Sequence, residues 1–409
     1  MLRSIVVLLS AALCGSSLLI GAESRATHAP VFVPLALPPG VADCVALDDE
    51  NACAAHGCRW RHSTTSAASS CYPEDSDPST KLPLDASVDR EQFAIRNASV
   101  TDALFTAWKR FHGKQYGSTL EESERRAVFE RHAEMVAAHN AQEASTFTME
   151  LNQFADLTWS EIQSQYLSVP QHCSATHTSN STIQYGAAPV SRDWRSEGVV
   201  TRVKSQGVCG SCWAFSATGC VESHHAIKHG TQVLLSEQNL VDCAHAFNNH
   251  GCFGGLPSQA FEYIHYNGGI DTEASYRYKA WGGKCQFDQR HVGARVGAVV
   301  NITSRNEDEL KAAVGAVGPV SIAFQSRLDM MFYKSGVYAS TKCHDEEMYV
   351  NHAVLAVGFG TTAGNGDSTP FWIVKNSWSD KWGTDGYFLI KRGVNMCGLA
   401  DCASYVVVV

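Results

Sequence analysis

Cys209-Gly210-Ser211-Cys212-Trp213-Ala214-Phe215 presents a thiol at the start of a run, Trp213 to His229, that reads as a helix. Asn351-His352-Ala353 enters an apolar strand 140 residues further on, and Asn376-Ser377-Trp378 follows after another 24. A thiol attacks a carbonyl as its thiolate, and both a helix N-terminus and a nearby imidazolium favour that form. A nucleophilic Cys212, a His352 that takes and returns its proton and an Asn376 that orients the imidazole are the parts of a cysteine hydrolase. A neutral amide suffices at Asn376 if the resting pair is already thiolate and imidazolium. Other chemistries compete for the same residues. Cys209-x-x-Cys212 could be a redox pair, or Cys212 half of a structural disulfide, but neither reading uses His352 or Asn376. Zinc fits less well, because no second C-x-x-C or His pair stands at ligand spacing. No metal and no cofactor is expected.

Positioning these groups requires a helix for the cysteine and strands for the histidine and asparagine. From about Ala188 to Val292 the chain reads as mainly helical. Apolar β-type runs then dominate: Val317 to Phe324, Ala353 to Phe359, Phe371 to Val374, Gly386 to Lys391 and Tyr405 to Val409. With Cys212 on the helical half and His352 on the β half, the site falls in a cleft between them.

These residues resemble the papain-like cysteine peptidases, and the likeness runs from about Pro189 to Val409. Gly251-Cys252-Phe253-Gly254-Gly255 is similar to the family's glycine-rich substrate ledge, and Gly383-Thr384-Asp385-Gly386-Tyr387 follows the Asn motif as in the family. Within the family the likeness is to the cathepsin H and aleurain branch. It is carried by Asn248 to Cys252, by Gly255-Leu256-Pro257-Ser258-Gln259-Ala260-Phe261-Glu262-Tyr263 and by Asn395-Met396-Cys397-Gly398-Leu399-Ala400. Pro170-Gln171-His172-Cys173-Ser174-Ala175-Thr176 resembles that branch's mini-chain, a propeptide remnant that stays attached; His172 stands where mammalian relatives have Asn.

The resemblance implies an α+β, two-lobed papain-like fold, a helical lobe and a β-barrel-like lobe, preceded by a helical inhibitory propeptide. It implies an oxyanion hole from the Gln206 amide and the Cys212 N–H; losing one such donor typically costs on the order of 10²–10³ in rate. Trp378 would shield the His352–Asn376 bond. Gly254 and Gly255 would let a substrate strand approach, and Leu256, Pro257, Ala323, Val350, Ala353 and Cys402 would surround the second subsite. The implied disulfides are Cys209–Cys252, Cys243–Cys285, Cys343–Cys397 and Cys173–Cys402, with Cys220 left as a buried thiol. A mini-chain ending at a Thr176 carboxylate would make the enzyme chiefly an aminopeptidase. The alternatives are a cathepsin L-like endopeptidase that discards the Cys173 segment and a catalytically idle binding protein.

Upstream, Glu121, Arg125, Phe129, His132, Val136 and Asn140 keep near one helix stripe. They resemble the propeptide signature of this class, with His132 replacing Asn and Val136 replacing Ile; Asn152, Phe154 and Asp156 resemble the motif that follows. Such a propeptide docks on the catalytic domain, sends its tail through the cleft and acts as the chain's own inhibitor. Glu121 and Asp156 are expected to lose charge, and so their pairs, as pH falls.

The 409-residue chain could hold two or three domains, and 44% hydrophobic residues with nine Trp suffice for a core. From Ala188 onward 19 basic residues face 20 acidic ones, so nearly all of the formal charge of -9 comes from upstream, and no basic stripe suggests nucleic acid. Residues 1–22 read as a secretory signal: Arg3, an apolar run from Ile5 to Ile20, then Gly21-Ala22. No later stretch would span a bilayer. Residues 23–87 form an extension holding Cys44, Cys53, Cys58 and Cys71, expected as a small two-disulfide module over 44–71 with a distant trefoil likeness, and a linker. The remaining divisions are a propeptide over 88–168, the mini-chain over 169–176, a processed linker over 177–187 and the catalytic domain over 188–409. Residues from Ser168 to Gly186 read as an exposed, cleavable connection. Sequons at Asn97, Asn180 and Asn301 fit a secretory route to lysosome, vacuole or the exterior. The expected partners are peptide or protein substrates, and the expected state is a monomer.

Overall fold

The computed structural model describes residues 58–62, 69–73, 89–173, 185–362 and 368–409, with the backbone alone for 58–62, 69–73 and 89–100. Two units divide at Gln115/Tyr116. In the first, strands β1 (Cys58–His62) and β2 (Ser69–Pro73) pair antiparallel with Trp60 opposite Cys71, and helix α1 spans Asp89–His112. The signal sequence, Cys44, Cys53, Asn180 and Thr176 lie outside the described residues, as do the side chains of Cys58, Cys71 and Asn97.

The second unit opens with α2 (Thr119–Asn140), capped where the Ser118 hydroxyl accepts from Glu121 N–H. Its buried stripe is Val128, Phe129, His132 and Val136. Next come β3 (Phe147–Met149) and α3 (Trp159–Tyr166), the latter closed by a Thr158/Glu161 capping box. A short β4 (Arg192–Asp193) precedes α4 (Cys212–His229), which is buried through most of its length and ends at Gly230 with φ 71°. Helices α5 (Glu237–Cys243) and α6 (Pro257–Asn267) complete the helical side.

The β side is a nine-stranded sheet. It contains β7 (Val296–Asn301), β8 (Val320–Phe324), β9 (Tyr333–Tyr338), β10 (His352–Thr361), β11 (Pro370–Lys375), β12 (Tyr387–Lys391) and β13 (Ser404–Val408). A two-stranded ladder of β5 (Ile270–Asp271) and β6 (Val292–Ala294) and helix α7 (Glu307–Ala316) lie apart from the sheet path. The sheet order is β3-β9-β12-β11-β10-β8-β13-β7, with β4 paired to β10 and only the β9–β12 pair parallel. All but the last residue of β10 are buried, so it reads as a continuous apolar run rather than an alternating one. Strand β3 comes from the upstream segment and pairs with β9, Phe147 opposite Gly336, covering an edge that would otherwise be open. No described helix is long and apolar enough to cross a membrane.

Candidate active site

Cys212 is the first residue of α4 and fully buried. Its sulfur accepts from Ala353 N–H at 3.4 Å and lies 3.2 Å from the Ser168 hydroxyl. His352, the first residue of β10, bonds through Nε2 to Asn376 Oδ1 at 2.8 Å. That assigns the proton to Nε2 in the neutral ring and leaves Nδ1 buried without a hydrogen-bond partner. The Trp378 indole stacks on the imidazole at 4.4 Å and 21°, keeping water from that bond. Asn376 directly follows β11.

Gln206 is oriented at both ends. Its Oε1 accepts from the Ser377 hydroxyl at 2.7 Å, so its Nε2 must face Cys209 O at 2.8 Å and Tyr166 O at 2.9 Å. Tyr278 adds a strut: its hydroxyl donates to Gln206 O at 2.7 Å and accepts from Ser211 Oγ at 2.6 Å. Sequence reasoning passed over Ser377 and Tyr278. Ser377 stood inside the quoted Asn-Ser-Trp motif, but its partner lies 171 positions away.

Residues 168–173 are only partly the exposed connection expected of them: Val169, Pro170 and His172 are exposed, while Cys173 is buried. The Tyr166–Cys173 segment crosses the site. Ser168 N–H donates to Asn351 O at 2.8 Å and Val169 N–H to Phe253 O at 3.3 Å. The ledge is shaped for this approach. A Cβ on Gly254 would come 3.0 Å from Ser168 Cβ, and one on Gly210 would come 2.8 Å from Leu167 O. A Cβ on Gly255 would collide with Asn249 and Trp213.

A resting thiolate–imidazolium pair is expected from the sequence; in the precursor, burial pushes the Cys212 thiol above its ordinary value, against the Ala353 N–H and Ser168 hydroxyl that favour the thiolate, and pushes His352 down to about 4. Desolvation of both groups favours the neutral pair.

Among the described residues four disulfides are present: Cys173–Cys402, Cys209–Cys252, Cys243–Cys285 and Cys343–Cys397. Cys220 is a fully buried thiol pushed up to about 12, close to Pro319 O. Ala323 and Ala353 face each other across the β8–β10 ladder. Leu256 and Pro257 begin α6, and Val350 and Cys402 are buried nearby in the chain's C-terminal half. Asn301 closes β7 opposite Ser404 with 9% exposure, which disfavours a glycan at that residue.

On α2, Glu121 does not pair with Arg125 across the stripe. It accepts from Gly117 N–H at 2.7 Å, and Arg125 instead bonds Glu161 at 2.7 Å and Asp156 O at 3.1 Å. Asn140 and Met149 exchange two bonds, and Asn152 Nδ2 donates to Met331 O at 2.7 Å.

A cysteine–histidine–asparagine group with an oriented amide donor and a covering upstream segment defines a cysteine peptidase held as a precursor. Residues 188–407 match the papain family of cysteine proteases, and residues 105–162 match the cathepsin propeptide inhibitor domain. The chain is 52% identical over 303 residues to "Pro-cathepsin H" of Mus musculus, covering 74% of this chain and 89% of that one. It is 49% identical over 304 residues to "Thiol protease aleurain-like" of Arabidopsis thaliana, covering 74% and 84%. The structure of digestive procathepsin L2 proteinase from Tenebrio molitor larval midgut superposes with a TM-score of 0.67 at 36% identity, covering 75% of this chain and 99% of that one. The chain belongs to the papain family of cysteine proteases. It is a zymogen similar to cathepsin H and aleurain and carries its own inhibitory propeptide.

Proposed function

We propose that the mature enzyme is chiefly an aminopeptidase, with Cys212 as nucleophile, His352 as proton carrier, Asn376 as its orienter and Gln206 with Cys212 N–H as the oxyanion hole. Removal of the propeptide re-solvates the cleft and lets the thiolate–imidazolium pair form. The thiolate attacks the scissile carbonyl, His352 protonates the leaving amine, and water hydrolyses the thioester. The Tyr166 carbonyl beside Gln206 Nε2 lies where a developing oxyanion would be held.

The observation that carries the aminopeptidase reading is the Cys173–Cys402 bond. It tethers Val169 to Thr176 to a residue of the second subsite, so the peptide would persist after the connection is cut. A retained mini-chain occludes the cleft beyond about one substrate residue, and a Thr176 carboxylate would receive a free α-ammonium. A signal at residues 1–22 would route the chain through the secretory pathway to lysosome, vacuole or exterior.

Cys402→Ala tests the reading. Cleavage of unblocked single-residue substrates should fall and cleavage of N-blocked substrates with an apolar residue before the reacting one should rise, each about tenfold or more for loss of a charged partner. Equal response of both classes, or mature protein lacking a Cys173 peptide by mass mapping, leaves the endopeptidase alternative.

A further inference from the structure

His132 replaces the Asn of the propeptide signature, and its surroundings differ from those of every carboxylate on the docking face. The residue is 7% exposed. Its Nδ1 bonds Ala155 O at 3.0 Å, which requires the proton on that nitrogen. The ring packs against Phe332 of the catalytic domain, centroids 4.8 Å apart. Phe332 is fully buried, and its carbonyl accepts from Glu150 N–H of the propeptide at 2.8 Å. A neutral imidazole therefore sits at the junction of α2, the Asn152–Asp156 turn and the catalytic domain.

We propose that His132 is the acid-sensing group of this zymogen: protonation of the buried imidazole loosens the propeptide from the catalytic domain. The charges around it do little to shelter an imidazolium. Arg131 on its own helix opposes protonation. Asp156 on the turn favours it, but its carboxylate already accepts from the Tyr116 hydroxyl at 3.0 Å. On the catalytic side, Lys334 is paired with Glu150 at 3.0 Å, and Asp329 accepts from Tyr338 and Ser340 at 2.9 and 2.8 Å. Burial dominates and lowers the group to about 4.

The sign follows from linkage. The free imidazole titrates near 6.5 and the docked one near 4. Docking is therefore at full strength above 6.5 and weakens as pH falls towards 4, by a factor on the order of 10² over that interval. The Arg125–Glu161 pair weakens in the same direction but in a lower window: Glu161 is held down to about 2, so the pair survives where His132 charges. Half-buried His139, bonded through Nε2 to Phe147 O at 3.0 Å and also lowered by burial, adds to the same trend.

The test rests on the zymogen assignment and not on the aminopeptidase reading. In the full Cys212→Ala precursor, which cannot process itself, cutting of the propeptide by an added protease is followed from pH 7.5 to 4. Opening should set in between pH 6.5 and 4, and His132→Asn should move the midpoint down by about one pH unit or more. An unchanged midpoint overturns the proposal. Should His132→Asn fail to fold, an NMR titration of the His132 ring in the folded Cys212→Ala precursor decides instead: a value at or above 6.5 overturns the proposal, and a value well below it supports the proposal.

Discussion

Between Phe147 and Asp156 the propeptide meets the catalytic domain largely through rings and strand pairing, whereas between Tyr166 and Cys173 it relies on polar contacts, mostly of the backbone, and one covalent bond. In the first region Phe147 packs on Tyr333 and Tyr338, Phe154 meets Trp378 edge-on at 5.5 Å, and β3 extends the catalytic sheet. In the second, the contacts include Tyr166 O with Gln206, Ser168 and Val169 N–H with opposite walls of the cleft, the Ser168 hydroxyl with Cys212, His172 with Glu347, and Cys173 with Cys402. Burial of side chains supplies affinity but no occlusion, because nothing in the first region touches the thiol. Main-chain bonds in the cleft occlude, yet each contributes only about 0.5–1.5 kcal/mol net. The rings hold the precursor closed, and the tail determines what is closed.

The largest effect separates chemistry from both regions. Cys212→Ala should lower peptide hydrolysis by about 10⁴-fold or more while the precursor still folds, with propeptide docking retained. Peptidase assay of the variant after an added protease has removed its propeptide checks this. Cys220→Ala should leave activity largely intact, because its thiol faces Pro319 O in the core. The reverse pattern would break the assignment of the nucleophile.

Phe154→Ala should break the docking region. The side chain is 1% exposed and wedged between Trp378 and Tyr166. Removing such a ring typically costs about 3–5 kcal/mol, here shared between docking and propeptide stability. Self-activation at pH 6.5 should accelerate on the order of a hundredfold, and the matured enzyme should be unchanged. An unaltered activation rate would mean that the cleft tail alone closes the precursor.

The two regions also differ in how legible they are in the sequence. The α2 stripe showed its period, and the buried set Phe129, His132 and Val136 follows from it. Cys212, His352, Asn376 and Gln206 were readable because residue type and motif constrain each one. The resemblance implied a tail through the cleft, but the tail's individual contacts were not readable. A backbone carbonyl such as Tyr166 O carries no side-chain signature, and Ser168 looks like any other residue of a polar linker. Partner choice also resists reading: Arg125 has Glu121 four residues away, yet bonds Glu161 of α3, while Glu121 caps Gly117 N–H. The expected ionisation of the Cys–His pair is opposed by burial, a property of the packed chain that no motif displays.

Ser377→Ala sharpens the comparison, because Ser377 serves the tail and the chemistry alike. Its hydroxyl fixes which end of the Gln206 amide faces the cleft. Losing it lets the amide rotate, at a cost of about 0.5–1.5 kcal/mol for one hydrogen bond. In the mature enzyme kcat should fall about three- to tenfold with KM little changed, as befits a group acting only through the proposed oxyanion donor Gln206. A rise in KM alone would assign Ser377 to substrate binding instead.

Glu161→Gln has the smallest expected effect and isolates a propeptide carboxylate whose titration lies far from neutrality. The Arg125–Glu161 pair spans 2.7 Å, with side chains 24% and 29% exposed, and belongs to the propeptide on both sides. A pair this exposed contributes about 0.2–1 kcal/mol once solvent screening is allowed for. Desolvation by burial would raise the Glu161 carboxyl, but the Arg125 guanidinium and the Thr158 N–H and hydroxyl outweigh it and hold it near 2. Because the folded value is depressed, this stabilisation is present above the ordinary carboxylate value of 4.5 and is lost only as pH falls through about 2. Glu161→Gln should therefore speed activation by at most a few-fold, and by the same factor at pH 6.5 and pH 4.5. A shift in the pH midpoint of activation, rather than a uniform change in rate, would move the acid trigger from the buried imidazole to this carboxylate.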